Sequence, residues 1–285
     1  MKKTREIFIP TARLSPNVSV IKQFFSGHNI EAYLVGGAVR DACLERGTED
    51  LDVVAVSSES GIGSKLAREL NGKCISLDPV RNIDRIVCSK NKLTVDVTYL
   101  DNSQSIESDL IKRDFTIDAL AISLNQSELD TKARLIDPTD GYFDLENRLI
   151  KATSEQAFHC DPIRILRGVR LSVQLGFELE DRTEEWIKLN SNLLLNVSIE
   201  RVRDEFLKII ASTNITSSLY KLDSLGLLSV IIPELENCKG VEQPAEHAYD
   251  VFKHSLKTPG MLELILTGET NNNRALNLVP RFEKG

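Results

Sequence analysis

Three acids and two glycines are the residues of this sequence best placed to do chemistry. Asp50 and Asp52 flank Leu51 at the head of an apolar run, LDVVAV (51–56), although acids are disfavoured in strands. On a strand, residues i and i+2 project from the same side, about 6.5–7 Å apart at their Cα atoms. Two carboxylates so placed can converge on metal ions, and phosphoryl-transfer sites hold two ions roughly 3.5–4 Å apart. Mg2+ suits such a site, because it favours carboxylate oxygens together with the phosphates of a substrate. Asp96 lies on the polar side of a second strand, LTVDVTYL (93–100), whose other side carries Leu93, Val95, Val97 and Tyr99. It is the candidate third acid. The plain alternative is that Asp50 caps a turn and Asp52 faces solvent.

Gly36 and Gly37 stand between an apolar run and a short helical pattern. Backbone N–H groups at such a strand-to-helix turn can hold a phosphate, and glycine lets the backbone come close. Arg40, one turn further on, offers a planar fork of donors to the same anion. The alternative is an ordinary turn with Arg40 paired to Asp41 or Glu45. The glycines, the arginine and the Asp-Leu-Asp occur in that order within 17 residues, which makes the combination far more specific than any one part.

The elements that must position these residues follow from periodicity. Strands are expected at 32–35, 51–56, 74–77, 85–88 and 93–100, with helices at 15–26, 38–45 and 64–70. Residues 117–124 read as a strand or a helix-to-strand passage, and Asp137 to Gly141 as a turn. From about residue 151 the period becomes helical, with helices expected at 163–175, 183–189, 199–211 and 217–225, the first ended by Gly176. The fold class is therefore α+β: a head with a small mixed sheet at 1–150, then an all-α part. The polar, Asn-rich stretch 268–285 reads as a frayed tail.

Composition narrows the function classes. The chain has 285 residues, 41% hydrophobic and 27% charged, with a net charge of −7, which argues against coating nucleic acid through bulk charge. Its five cysteines form no CxxC pair, so a zinc or redox motif is not indicated and a reducing, cytoplasmic setting is expected. No apolar run is long enough to cross a membrane.

The segment LVGGAVRD…EDLDVVAV (34–56) resembles the signature of the class II tRNA nucleotidyltransferase and poly(A) polymerase family, the CCA-adding enzymes. Three further segments match in order: DLIKRDFTIDALA (109–121), LIDPTDGYFDLENRLIKA (135–152) and DPIRILRGVRLSVQLGFELEDRT (161–183). The resemblance implies a polymerase β-like head, a helical neck at 151–212 and a partial helical body at 213–285 that reads as truncated. It implies template-independent addition of C and A to the 3′ end of tRNA from CTP and ATP, with release of pyrophosphate. It assigns Mg2+ to Asp50 and Asp52, nucleotide contacts to Gly36, Gly37 and Arg40, and the triphosphate or ribose to Arg113. Asp161 and Arg164 would read the base, and Arg167 and Arg170 would hold phosphates or the base edge. Asp96 would orient the attacking hydroxyl or take its proton.

Base reading has a physical rationale. Cytosine and adenine each present an amino donor beside a ring-nitrogen acceptor, which a carboxylate and a guanidinium complement. Guanine and uracil present the reverse. Asp161 and Arg164, three apart, are expected as neighbours on one helical face; the alternative is a helix-capping Asp161 stabilised by Arg164. Arg164, Arg167 and Arg170 recur every third residue opposite Ile163, Ile165, Leu166 and Val169. Position 118 is Asp where the family has Asn, adding negative charge near the triphosphate. His247, Asp250 and His254 look like the start of an HD-type metal site, but no later His-Asp pair follows. Rival readings are a poly(A) polymerase, a CC-only or A-only enzyme, and an inactive RNA-binding remnant.

Overall fold

A computed structural model describes residues 6–78, 82–88, 92–125, 131–212, 214–242 and 249–267. These fall into two compact units divided between Ser154 and Glu155. The tail at 268–285 and His247 lie outside the described residues.

The first unit is built on an eight-stranded mixed sheet. Its strands are β1 (Phe8–Pro10), β2 (Glu31–Val35), β3 (Asp50–Val56), β4 (Lys73–Asp78), β5 (Ile83–Cys88), β6 (Leu93–Leu100), β7 (Ala121–Ser123) and β8 (Lys132–Ile136). They lie in the order β1-β8-β7-β2-β3-β6-β5-β4. Among the described residues of this sheet, only β3 and β6 run parallel; the other pairs are antiparallel. The sheet is wider than the sequence pattern suggests, because the edge strand β1 and its neighbour β8 are short pieces brought together by non-local pairing. Asp50 begins β3, so both acids are strand residues. The stretch 117–124 separates into a 3-10 turn, Thr116–Asp118, and β7.

The two faces of β3 carry different cargo. Leu51, Val53 and Ala55 enter the main core, which α1 (Asn17–Gly27), α2 (Gly37–Cys43) and α3 (Ile62–Glu69) cover through Val18, Ile21, Phe24, Phe25, Val39 and Leu66. On the opposite face Val54 joins a smaller cluster with Val35, Leu100 and Ala121, closed by Ile106 and Leu110 of α4 (Ile106–Leu110). Asp50 and Asp52 share that face with Val54 by strand alternation, and both are exposed. The expected turn at Asp137–Gly141 leads into α5 (Gly141–Glu146).

The second unit is helical: α6 (Gln156–Cys160), α7 (Arg164–Leu175), α8 (Asp181–Asn190), α9 (Ile199–Ile210), α10 (Ile215–Ser224), α11 (Leu227–Ile231), α12 (Pro233–Glu236) and α13 (Val251–Leu266). In α7 Ile165, Leu166, Val169 and Leu171 are buried, and Gly176 ends it at φ +69°, a left-handed cap that glycine adopts without strain. Among the described residues no helix is long and apolar enough to cross a membrane. Cys43, Cys74, Cys88, Cys160 and Cys238 are free thiols.

Candidate functional site

Pairing register builds the acidic face. Asp52 stands beside Asp96 across the parallel β3–β6 pair, and Asp96 stands opposite Arg85 across the antiparallel β6–β5 pair. Directly paired residues project from the same face. Asp52, Asp96 and Arg85 therefore form one row across three strands, and Asp50 lies two residues along β3. The structure thus brings the three candidate acids to one face of the sheet.

Asp96 is engaged there by a residue the sequence pattern did not single out. Arg85 donates to it twice, Nε to Oδ1 at 2.8 Å and Nη2 to Oδ2 at 2.6 Å. The guanidinium is held above its ordinary pKa range chiefly by the Asp96 hydrogen bonds, against some desolvation, with Asp50 and Asp52 adding their charge. Among the described residues no three His, Cys, Asp or Glu side chains form a ready-made metal cage. The donor set still fits a hard divalent cation: two strand-mates, Asp50 and Asp52, offer oxygens, and Mg2+ commonly takes one or two carboxylates plus water and substrate phosphate.

Gly36 shapes the rim beside Asp52. It sits at φ +68°, and a Cβ there would stand 2.9 Å from Arg113 Nη1 and 3.2 Å from Asp52 Oδ2. Only glycine lets that guanidinium and carboxylate close over the turn. Arg113 also donates to Asp109 Oδ2 through Nε at 3.2 Å and Nη2 at 3.1 Å. Gly37 begins α2, and a Cβ on it would meet only the Arg40 guanidinium, at 3.4 Å. Arg40 lies half-buried between two acids: Nε reaches Asp41 Oδ1 at 2.9 Å and Nη1 reaches Asp118 Oδ1 at 2.7 Å. Burial lowers its pKa, but Asp118 and then Asp41 outweigh that and raise it overall. The Asp41 partnership is the alternative weighed from the sequence; Glu45 pairs with Arg13 instead. Asp118 neutralises Arg40 directly, which is where its extra charge goes.

The KRDFT segment is braced rather than free. Thr116 donates its backbone N–H to Lys151 O at 2.9 Å and its hydroxyl to Asp144 Oδ2 at 2.7 Å. Asp137 accepts the N–H groups of Thr139, Gly141 and Tyr142 at 3.2, 2.8 and 2.9 Å. A Cβ on Gly141 would stand 1.9 Å from the Thr116 carbonyl oxygen, so the two segments pack backbone to backbone. The DPTDG stretch is the clamp that fixes the loop bearing Arg113.

The remaining candidates lie in the helical unit. Asp161 is extended, between α6 and α7, and not within the helix that begins at Arg164. Its carboxylate is taken by Arg201 of α9, through Nη1 at 3.0 Å and Nη2 at 2.9 Å. The expectation that Asp161 and Arg164 are neighbours on one helical face is thus corrected, since Asp161 precedes the helix; Arg164 donates its backbone N–H to the Asp161 carbonyl and its Nη1 to Ala157 O at 3.3 Å. The reason is that α7 starts too late to carry Asp161 on its face. Arg170 donates Nε to Glu205 Oε2 at 2.7 Å, and Glu205 is buried. Arg164, Arg167 and Arg170 are all half-buried. Arg201 and Glu205, four apart on α9, were not picked out; charges at i and i+4 flanking apolar Val202 and Ile209 were the signal. Asp250 caps α13 by accepting the Lys253 N–H at 2.7 Å, a structural role.

Family models match both units: one described as poly A polymerase head domain covers residues 32–151, and one described as probable RNA and SrmB-binding site of polymerase A covers residues 176–239. The chain belongs to the tRNA nucleotidyltransferase and poly(A) polymerase family. Within that family it is 37% identical over 205 residues to a CC-adding tRNA nucleotidyltransferase of Halalkalibacterium halodurans, covering 72% of this chain and 51% of that one. It is 32% identical over 232 residues to an A-adding tRNA nucleotidyltransferase of Deinococcus radiodurans, covering 79% and 50%. The Thermotoga maritima CCA-adding enzyme complexed with tRNA aligns at TM-score 0.74 and 26% identity, over 94% of this chain and 63% of that one. The chain spans about half the length of the curated relatives it matches. The head is a nucleotidyltransferase head, and a mainly helical unit follows it in sequence.

Proposed function

We propose that this chain supplies nucleotidyl transfer to the 3′ end of tRNA, adding C and A from CTP and ATP with release of pyrophosphate. The observation that carries this reading is the row of Asp52, Asp96 and Arg85 with Asp50 beside it, inside the segment that matches the family head. Asp50 and Asp52 would hold a divalent ion, Mg2+, whose chemistry is to neutralise charge on the triphosphate and activate the attacking oxygen. Arg113, at the Gly36 rim, is placed to receive phosphate oxygens with a planar fork of donors. Asp96, held by Arg85, can accept a hydrogen bond from the tRNA 3′-hydroxyl and take its proton as the oxygen attacks the α-phosphorus. The bond to the bridging oxygen then breaks and pyrophosphate leaves, with positioning and electrostatics carrying most of the rate.

In the helical unit we assign base reading to Arg164 and to Asp161 held in place by Arg201, with Arg167 and Arg170 contributing to phosphate or base-edge contacts. A carboxylate locked by a bidentate arginine keeps acceptor lone pairs for an amino group and a fixed direction.

A second reading, addition of CC or of A alone, is favoured by the names of the two curated relatives. Product lengths on a sequencing gel separate the readings, using Mg2+ and a tRNA lacking its 3′ CCA. Three additions that need both CTP and ATP support the first. Two additions from CTP with no later A, or one A on a tRNA ending in CC, support the second. A long ladder from ATP would indicate a poly(A) polymerase. No extension by a folded, nucleotide-binding preparation would overturn the enzymatic reading.

A further inference from the structure

Arg85 has a place in the site that no motif assigns. It sits on the acidic face itself, in register with Asp96 and thereby in the row that contains Asp52. Both of its bonds go to Asp96, the side chain is 41% exposed, and its charge is felt by Asp50 and Asp52 as well. A cross-strand ion pair placed only for sheet stability would do as well at any exposed position. Here the cation stands in the same row as the carboxylates that a divalent ion would need.

We propose that Arg85 is a positioning residue that competes with the divalent ion, clamping Asp96 and opposing cation entry at Asp50 and Asp52. The inference rests on the metal-dependent reading above and deepens it. Two consequences follow from electrostatics. First, a positive charge fixed beside the carboxylates weakens binding of a second cation to them. Second, the ion enters favourably only with a ligand that brings its own negative charge, which a nucleoside triphosphate does. Arg85 thereby couples metal loading to nucleotide loading and keeps Asp96 out of the metal's coordination sphere, available to the hydroxyl.

Direct Mn2+ titration of the full chain, followed by the electron paramagnetic resonance of the free ion and without nucleotide, tests the idea. Arg85→Gln should bind Mn2+ about three- to tenfold more tightly, as expected for removing one partly screened like charge near a cation. Arg85→Lys, which keeps the charge, should bind like wild type. Arg85→Met, which keeps the apolar stem, provides the neutral variant if Arg85→Gln does not fold. Asp52→Asn should bind Mn2+ at least tenfold more weakly than wild type. Unchanged or weaker Mn2+ binding by the neutral variants, with Asp52→Asn still defective, would overturn the role of Arg85 and leave the metal site standing. Wild-type Mn2+ binding by Asp52→Asn would overturn the metal reading and this inference with it.

Discussion

The acidic face of the head and the arginine row of the helical unit were both visible as spacing, yet only in the first did the spacing also place the acids. In the sheet, side-chain direction follows from strand alternation, so Asp50 and Asp52 needed only the strand to begin at Asp50. In the helical unit the role of each charge depends on what a distant helix presents. Arg201 and Glu205 of α9 take Asp161 and Arg170, and nothing within 161–170 specifies either partner. Period-2 patterns carry their own geometry, whereas polar helix faces acquire theirs from packing.

Four substitutions test that difference, from the largest expected effect to the smallest. Asp52→Asn should reduce nucleotide addition about a thousandfold with folding intact, since charge stabilisation at such a centre amounts to several kcal/mol; single-turnover extension reads it. A loss under tenfold would break the assignment of chemistry to the sheet.

Gly36→Ala forces a Cβ into a left-handed turn against Arg113 and Asp52. It should cost about 1–3 kcal/mol of stability, measured by urea unfolding, and should slow addition of every nucleotide alike. Arg201→Ala removes a half-exposed partner from Asp161 and should cost only about 1 kcal/mol. Its sharper readout is base choice, which should relax if Arg201 orients Asp161. A purely structural pair would lower the melting temperature and leave base choice untouched.

Asp118→Asn should have the smallest effect. Arg40 keeps Asp41 but loses its second acid, so nucleotide dissociation constants should fall about two- to threefold, a gain of under 1 kcal/mol. Equilibrium binding of CTP and ATP measures this. An unchanged constant would place Arg40 in the frame of α2 and not at the nucleotide.

Most of the head was legible because β3 and β6 are long and strongly patterned. The short strands β1 and β8 were not, since three to five residues are too few for a clear local signal and gain their identity from non-local pairing. The DPTDG stretch was legible as a turn, but its task was not. Asp137 gathers three N–H groups within its own turn, but the press of Gly141 on Thr116 is a contact between segments about 25 residues apart. Arg85 was passed over because a single arginine on a short strand carries no spacing of its own; its meaning comes from the register with Asp96.

The central claim is that the sheet carries the chemistry and the helices carry the selection. Nucleotide choice by Arg164→Ala tests it most directly, with CTP and UTP supplied in separate single-addition reactions on a tRNA lacking its CCA. The account predicts that C addition persists while discrimination against U falls about ten- to a hundredfold, the usual worth of a bidentate base contact. Loss of C addition as complete as in Asp52→Asn, with U still excluded, would contradict it.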